Sequence, residues 1–256
     1  MLRSTVPPGI TRQVVAPLLA KAAGGLRPGI DFHLAVAPER ALQGAGVQEL
    51  RRLPQLVAGL SEACVTAVRD VFSFADCILE APSLESAELA KLLNNAFRDV
   101  SFAFANMAAK DMSGLGLDIP ATMALANTGY PRNPIAMPGP GVGGSCLRKD
   151  TRMLAGVAEA LAVDAELLDA ARCLNDSMPQ FVAEQVSSEA AANGLAPDRT
   201  RVLVCGMAFK GDPQTADMER ESTGLRSRGC WSTGECQCAS MTRSCRPRQE
   251  PRRRSS

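Results

Sequence analysis

At 256 residues, 46% apolar and only 4% aromatic, the chain has enough material for a sizeable core in one or two domains, and its scarcity of rings favours packed helices. The formal net charge is +1, but eight arginines give residues 226–256 a net +6 and leave residues 1–225 at −5, which argues against a nucleic-acid-binding body. No apolar run reaches the ~18 residues of a membrane span, MLRSTVPPGITRQVV lacks the apolar stretch of a signal peptide, and the cytoplasm is the expected compartment.

Residues 1–82 read as α/β. STVPPG is a turn that follows a strand, residues 11–23 suit a helix, FHLAVAPE is a strand that ends in a loop, and CVTAVRDVF is an amphipathic helix. The one histidine, His33, lies inside the FHLAV strand and is expected to pack. Residues 83–118 predict one long helix. Ser83 serves as N-cap, Glu85 and Glu88 lie near the positive end of the dipole, and Gly114 and Gly116 end it. Its apolar residues Leu89, Leu92, Leu93, Ala96, Phe97, Val100, Phe104 and Met107 keep helical spacing.

PGPGVGGSCLRKD, residues 138–150, is the most informative segment. Gly139, Gly141, Gly143 and Gly144 let the backbone approach a ligand and take positive φ angles. The loop then delivers Cys146 and a Lys–Asp pair just as a helical pattern begins, which makes Cys146 a candidate nucleophile. Two other readings stand beside this one. The glycine spacing satisfies G-x-G-x-x-G, although the proline-rich GYPRNPIAMP before it is loop rather than the strand a dinucleotide fingerprint needs. The cysteine can also be an inert small hydrophobe in a structural loop.

A second helical block, 151–193, is expected to break or kink at Pro179. RVLVCG at 201–206 predicts a buried strand that opens a further nucleotide-binding unit. The glycines at 206 and 211 have P-loop spacing, but Asp212 and Pro213 stand where Lys and Ser/Thr belong. The nine cysteines form no disulfide framework: Cys64, Cys77, Cys146, Cys173 and Cys205 are scattered, and a reduced intracellular chain fits them. Residues 226–256, rich in Arg, Ser and Cys with no period, read as a disordered tail. Their C-x5-C-x-C-x6-C is an unfamiliar zinc spacing, so no metal is expected.

STVPPG, APERALQG, ELAKLLNNAFRDVSFAFAN, PGPGVGGSCLRKD and GMAFKGDPQTADMERES occur in this order, and with them residues 3–225 resemble the UDP-glucose/GDP-mannose dehydrogenase family. RDV…AFAN and YPRNPIAMPGPGVGG look most like the branch that oxidises UDP-N-acetyl-D-mannosamine, whereas SCLRKD leans toward the UDP-glucose branch. The resemblance implies an α/β fold in four parts. Residues 1–82 would be the C-terminal part of an NAD-binding, Rossmann-like domain. Residues 83–193 would be an all-helical dimerisation and catalytic domain, 194–225 the start of a second Rossmann-like, UDP-sugar-binding unit, and 226–256 a tail outside the family.

The activity implied is oxidation of a nucleotide-sugar 6-hydroxymethyl group to a carboxylate, with NAD as cofactor, a UDP-sugar as substrate and a homodimer through the central helices, without nucleic acid or membrane. Carried over position by position, Cys146 is the nucleophile and Asp150 assists proton transfer. Lys91 and Asn95 stabilise the oxyanion, while Glu39 activates water and Thr5 lies near the nicotinamide and that water. Gly139, Gly141, Gly143, Lys210 and Arg132 are on the substrate side, Arg132 reaching a neighbouring subunit, and Thr5, Glu39 and Lys149 are on the cofactor side.

Departures accompany the likeness. Met107 stands where the acetamido-sugar branch usually has Glu and Ser145 where it has His, Gln43 replaces an acid of the glucose branch, and DMERES is one residue longer than the usual pattern. The glycine-fingerprint strand of the family is absent from these residues. The chain alone is therefore expected to bind NAD weakly and to be inactive, and the alternative reading is a dimerisation module without catalysis.

Overall fold

A computed structural model describes residues 1–41, 45–196 and 200–205, and residues 222, 223, 226, 227 and 230. The α/β unit begins with the extended Leu2, followed by a π-helical turn Thr11–Val15 that runs into α1 (Ala16–Ala22). Then come β1 (Ala35–Val36), α2 (Gly46–Arg52), β2 (Gln55–Gly59), α3 (Glu62–Val71) and β3 (Ile78–Glu80). The sheet order is β1–β2–β3, with β1 antiparallel and β3 parallel to β2, and Leu2 lies parallel to β1 opposite Val36.

Side chains alternate across the strands, so the sheet has two apolar faces. Ala35, Ala37 and Val57 pack with Val68 and Phe72 on the α3 side. Val36 and Ala58 pack with Leu84 and Ala87, at the start of the next helix. Gly59 is required where α3 meets β2, because a Cβ there would stand 2.7 Å from the Cys64 Cβ. The expected strand FHLAVAPE pairs over just two residues. His33, expected to pack, is exposed, while the burial begins at Leu34.

The helical unit is built on α4 (Leu84–Asp111), capped by the Ser83 hydroxyl, which accepts the Ser86 N–H at 3.0 Å. A 3-10 turn and Gly116, at φ +68°, finish it. α5 (Ile119–Asn127) packs Ile119 and Met123 on Ala105 and Ala108, then α6 (Ser145–Ala160) and α7 (Glu166–Ala192) lie along α4.

The break in the second helical block falls between α6 and α7, where Ala162 has φ +56°, and α7 continues through Pro179. Residues 201–205 are not a buried strand. Leu203 is exposed and no neighbour pairs with this segment among the described residues, and a hydrophobic run without a ladder partner is not a sheet strand. Two further expectations change at the tail. Cys230 is buried and Arg226 donates to Asp176 on α7 at 3.2 Å, so these tail positions are packed, as is the buried Ser222 just before the tail. Cys173 and Cys230 each take part in a disulfide, whereas Cys64, Cys77, Cys146 and Cys205 are free.

Candidate functional site

A cavity of about 400 Å³ opens between α4, the glycine loop and the residues after β1. α4 contributes Lys91, Asn95, Arg98, Phe102 and Asn106, spaced i, i+4, i+7, i+11 and i+15, which is one stripe of a helix. The loop contributes Gly139, Gly141, Val142, Gly143 and Gly144, and α6 begins beneath it with Ser145, Cys146 and Leu147. Arg40 and Ala41 close the α/β side.

Gly144 takes φ +81°, a conformation open to glycine, and this turn starts α6 so that Cys146 lies exposed in its first turn at the cavity wall. One turn on, Asp150 is almost completely buried. It accepts from Asn95 Nδ2 at 2.6 Å and from Lys149 Nζ at 2.6 Å. Asn95 is thus fixed with one amide hydrogen committed to Asp150. Burial holds the Lys91 ammonium below its ordinary range, and the charges of Asp150, Cys146 and Glu39 partly offset that effect. The same interactions mark these four side chains as one electrostatic group.

Glu39 follows β1 beside the strand-like Leu2–Arg3 segment. Its carboxylate pairs with Arg3 and accepts the Ala41 N–H at 2.8 Å. Burial raises its pKa, but these hydrogen bonds and the Arg3 charge outweigh that, and the carboxylate sits below its ordinary range.

The cavity therefore gathers Cys146, Lys91, Asn95, Gly139, Gly141 and Gly143, with Asp150 behind Asn95 and Glu39 within the field of Lys91. Thr5 and Arg132 do not line it, and Arg132 lies over the Tyr130 ring instead. Lys149, expected on the cofactor side, is engaged by Asp150. Lys210 and Gln43 lie outside the described residues. Sequence reasoning passed over Arg98, Phe102, Asn106, Met137 and Arg40, and the signal for the three on α4 was present, because they continue the stripe that starts at Lys91. No group of three or more metal-ligating side chains exists among the described residues.

Residues 85–177 match the model of the UDP-glucose/GDP-mannose dehydrogenase family, central domain, and residues 1–76 match the NAD binding domain of the same family. The chain is 34% identical over 227 residues to the UDP-N-acetyl-D-mannosamine dehydrogenase of Pyrococcus horikoshii, covering 88% of this chain and 52% of that protein. It is 32% identical to the Salmonella typhi enzyme of the same name, covering 92% and 57%.

Among solved structures, the Pyrococcus horikoshii dehydrogenase superposes with a TM-score of 0.81 at 35% identity, over 90% of this chain and 53% of that one. A UDP-N-acetyl-mannosamine dehydrogenase of Staphylococcus aureus gives 0.71 at 31% identity, over 87% and 50%. The chain spans about half the length of the curated relatives it matches. With both family models in chain order and the cysteine loop, Lys91 and Asn95 on one cavity, the chain belongs to the UDP-glucose/GDP-mannose dehydrogenase family.

Proposed function

We propose that this chain serves the NAD-dependent oxidation of a UDP-sugar 6-hydroxymethyl group to a carboxylate through a thioester on Cys146. UDP-N-acetylmannosamine is the preferred substrate, in line with the names of its relatives. The observation that carries the reading is the convergence of an exposed thiol, a half-buried lysine and a fixed amide on one cavity.

The steps follow from what these groups can do. Cys146 as thiolate adds to the C6 aldehyde, forming a C–S bond as the carbonyl oxygen takes the electron pair. The Lys91 ammonium and the second Asn95 amide hydrogen stabilise that oxyanion in a partly desolvated site. After the second oxidation the carbon is a thioester. Water that Glu39 activates attacks it, the C–S bond breaks, and the sulfur leaves as the thiolate. Asp150, in contact with Asn95 and Lys149, takes part in moving the proton.

The NAD fit rests on the sheet. Leu2 and β1 run parallel, so Thr5 and Glu39 follow strands that end on the same edge, where α/β sheets bind ligands. Thr5 and Glu39 would hold the nicotinamide end. When bound, NAD supplies the hydride acceptor for both oxidations.

Cys146 alkylation by iodoacetamide, read by mass spectrometry, tests the substrate assignment. UDP-N-acetylmannosamine is expected to protect Cys146 more than UDP-glucose does, and equal labelling with and without either sugar at millimolar concentration counts against the site. In a preparation that reduces NAD with the sugar, Cys146→Ser is expected to lower carboxylate formation by about 10³-fold or more. A serine variant at the parental rate ends the thioester reading.

The central helices also support a homodimer. Leu93, Phe97 and Phe104 on α4 are 51%, 74% and 53% exposed, at i, i+4 and i+11, on a face apart from both the core and the cavity. A twofold contact between two such faces is the simplest closed arrangement. Phe97→Glu is expected to shift the sedimenting species to monomer, and a parent that sediments as a monomer at high concentration rules the dimer out.

A further inference from the structure

Beneath the cavity lies a run of buried polar side chains that the proposed chemistry does not use. Asn106 is buried on α4. Its Oδ1 accepts the Gly139 N–H at 2.9 Å, and its Nδ2 donates to Asn175 Oδ1 on α7 at 2.9 Å. Asn175, fully buried, donates Nδ2 to the Asp99 carbonyl at 3.0 Å and to Asp99 Oδ1 at 2.9 Å. The fully buried Asp99 also accepts from Arg172 Nη1 at 2.6 Å. A continuous path of hydrogen bonds therefore runs from an ion pair in the helical core to the backbone of the glycine loop.

The loop meets α7 at a second point. Pro179 has no N–H, so the Asn175 carbonyl four residues earlier lacks its usual helical donor. Gly141 stands against this carbonyl. A Cβ at Gly141 would fall 2.6 Å from the Asn175 oxygen and 3.3 Å from Pro179 Cδ, and its φ of +102° disfavours any side chain. The proline in mid-helix and the glycine in the loop form one joint, which fits α7 continuing through Pro179.

We propose that Asn106 and Asn175, with the Gly141–Pro179 joint, are positioning residues that set where Cys146 stands relative to Lys91. Asn106 and Gly141 border the cavity, but the role inferred for them is exercised through the loop backbone. The buried amides and the joint fix Gly139 and Gly141, five to seven residues ahead of Cys146 in a segment whose glycines otherwise leave the backbone free. The Asp99–Arg172 pair anchors the path at its far end, and the Asn175 amide has one orientation available because its Nδ2 donates to Asp99 while its Oδ1 accepts from Asn106. This inference rests on the functional reading above, in which Cys146 and Lys91, on the wall of one cavity, act on the same carbonyl group.

The test is a double-mutant cycle read on Cys146 itself. In the parent chain, Lys91→Met is expected to slow iodoacetamide alkylation of Cys146 by at least about threefold at neutral pH, because the thiolate loses its neighbouring cation. In the Asn106→Ala background the same lysine substitution is expected to change the rate by a factor near 1. A lysine effect that persists undiminished in Asn106→Ala overturns the positioning role, whatever that substitution does to stability. A parent with no lysine effect instead overturns the site reading and takes this inference with it. Should Asn106→Ala not fold, Gly141→Ala displaces the same loop while keeping every side chain of the buried path, and a lysine effect of parental size in that variant is equally fatal.

Discussion

The two units of this chain are filled differently. The α/β unit is closed by apolar side chains on both sheet faces, with Val57, Val68 and Phe72 on one and Val36, Leu84 and Ala87 on the other. The helical unit buries Asp99, Arg172, Asn175, Asn106, Asn95, Asp150 and Thr151. Apolar burial is non-directional and tolerates small displacements. Hydrogen bonds fix angles as well as distances. The polar interior lies where a glycine loop and a cysteine need a defined place, and the apolar interior lies where the sheet needs only to stay closed.

The contrast is sharpest at Arg172. Arg172→Met leaves the Asp99 carboxylate buried without its cation, and the expected cost is about 3–5 kcal/mol in urea unfolding. Adding Asp99→Leu is expected to recover most of that stability, because an apolar pair of similar volume removes both charges from the interior. Asn175 keeps the Asp99 backbone carbonyl as an acceptor in the double variant. A cost below about 1 kcal/mol for Arg172→Met alone breaks the comparison, since the helical interior would then tolerate change as an apolar one does.

A smaller effect is expected at the seam between the units. Glu88, buried on α4, accepts the Gly9 N–H at 2.6 Å and the Thr11 N–H at 3.0 Å, and so caps the first turns of the helix that leads into α1. Glu88→Gln turns one acceptor into a donor that faces an N–H, and about 1–3 kcal/mol is the expected loss. Hydrogen exchange at residues 9–13 localises it, and unchanged protection there means the seam is held by the Leu84–Val36 contacts alone.

Much of this was legible in advance. Ser83 as N-cap, the long helix and the loop into Cys146 all follow from local chemistry, because capping, helical period and positive-φ glycines are written in neighbouring residues. The sheet was harder to read. β1 pairs over two residues, and β2 and β3 were not anticipated, because strands this short owe their existence to partners distant in sequence. Pro179 misled for a related reason. A proline in mid-helix reads as a break, yet here the carbonyl it frees is where Gly141 docks from nearly forty residues upstream. The single stripe from Lys91 to Asn106 was visible in the spacing, but its role depended on which helix face the loop would cover.

The smallest expected effect tests the seam from its exposed side. Arg12 donates Nε to Glu85 Oε1 at 2.6 Å, with side chains 50% and 35% exposed. The hydrogen bond from Arg12, helped by the backbone at the start of α4, holds the Glu85 carboxyl at about 2 against an ordinary 4.5. A depressed folded-state pKa contributes stability that is fully present above the ordinary value and is lost as pH falls toward the folded one. Solvent screening keeps this contribution below about 1 kcal/mol at neutral pH. The stability difference between the parent and Glu85→Gln is therefore expected to be small and constant above about pH 5, to shrink between about pH 4.5 and 2, and to weaken with added salt. A difference that stays the same down to about pH 2, or grows with salt, would show that Glu85 acts by packing and not by charge, and would leave buried Glu88 as the polar tie across the seam.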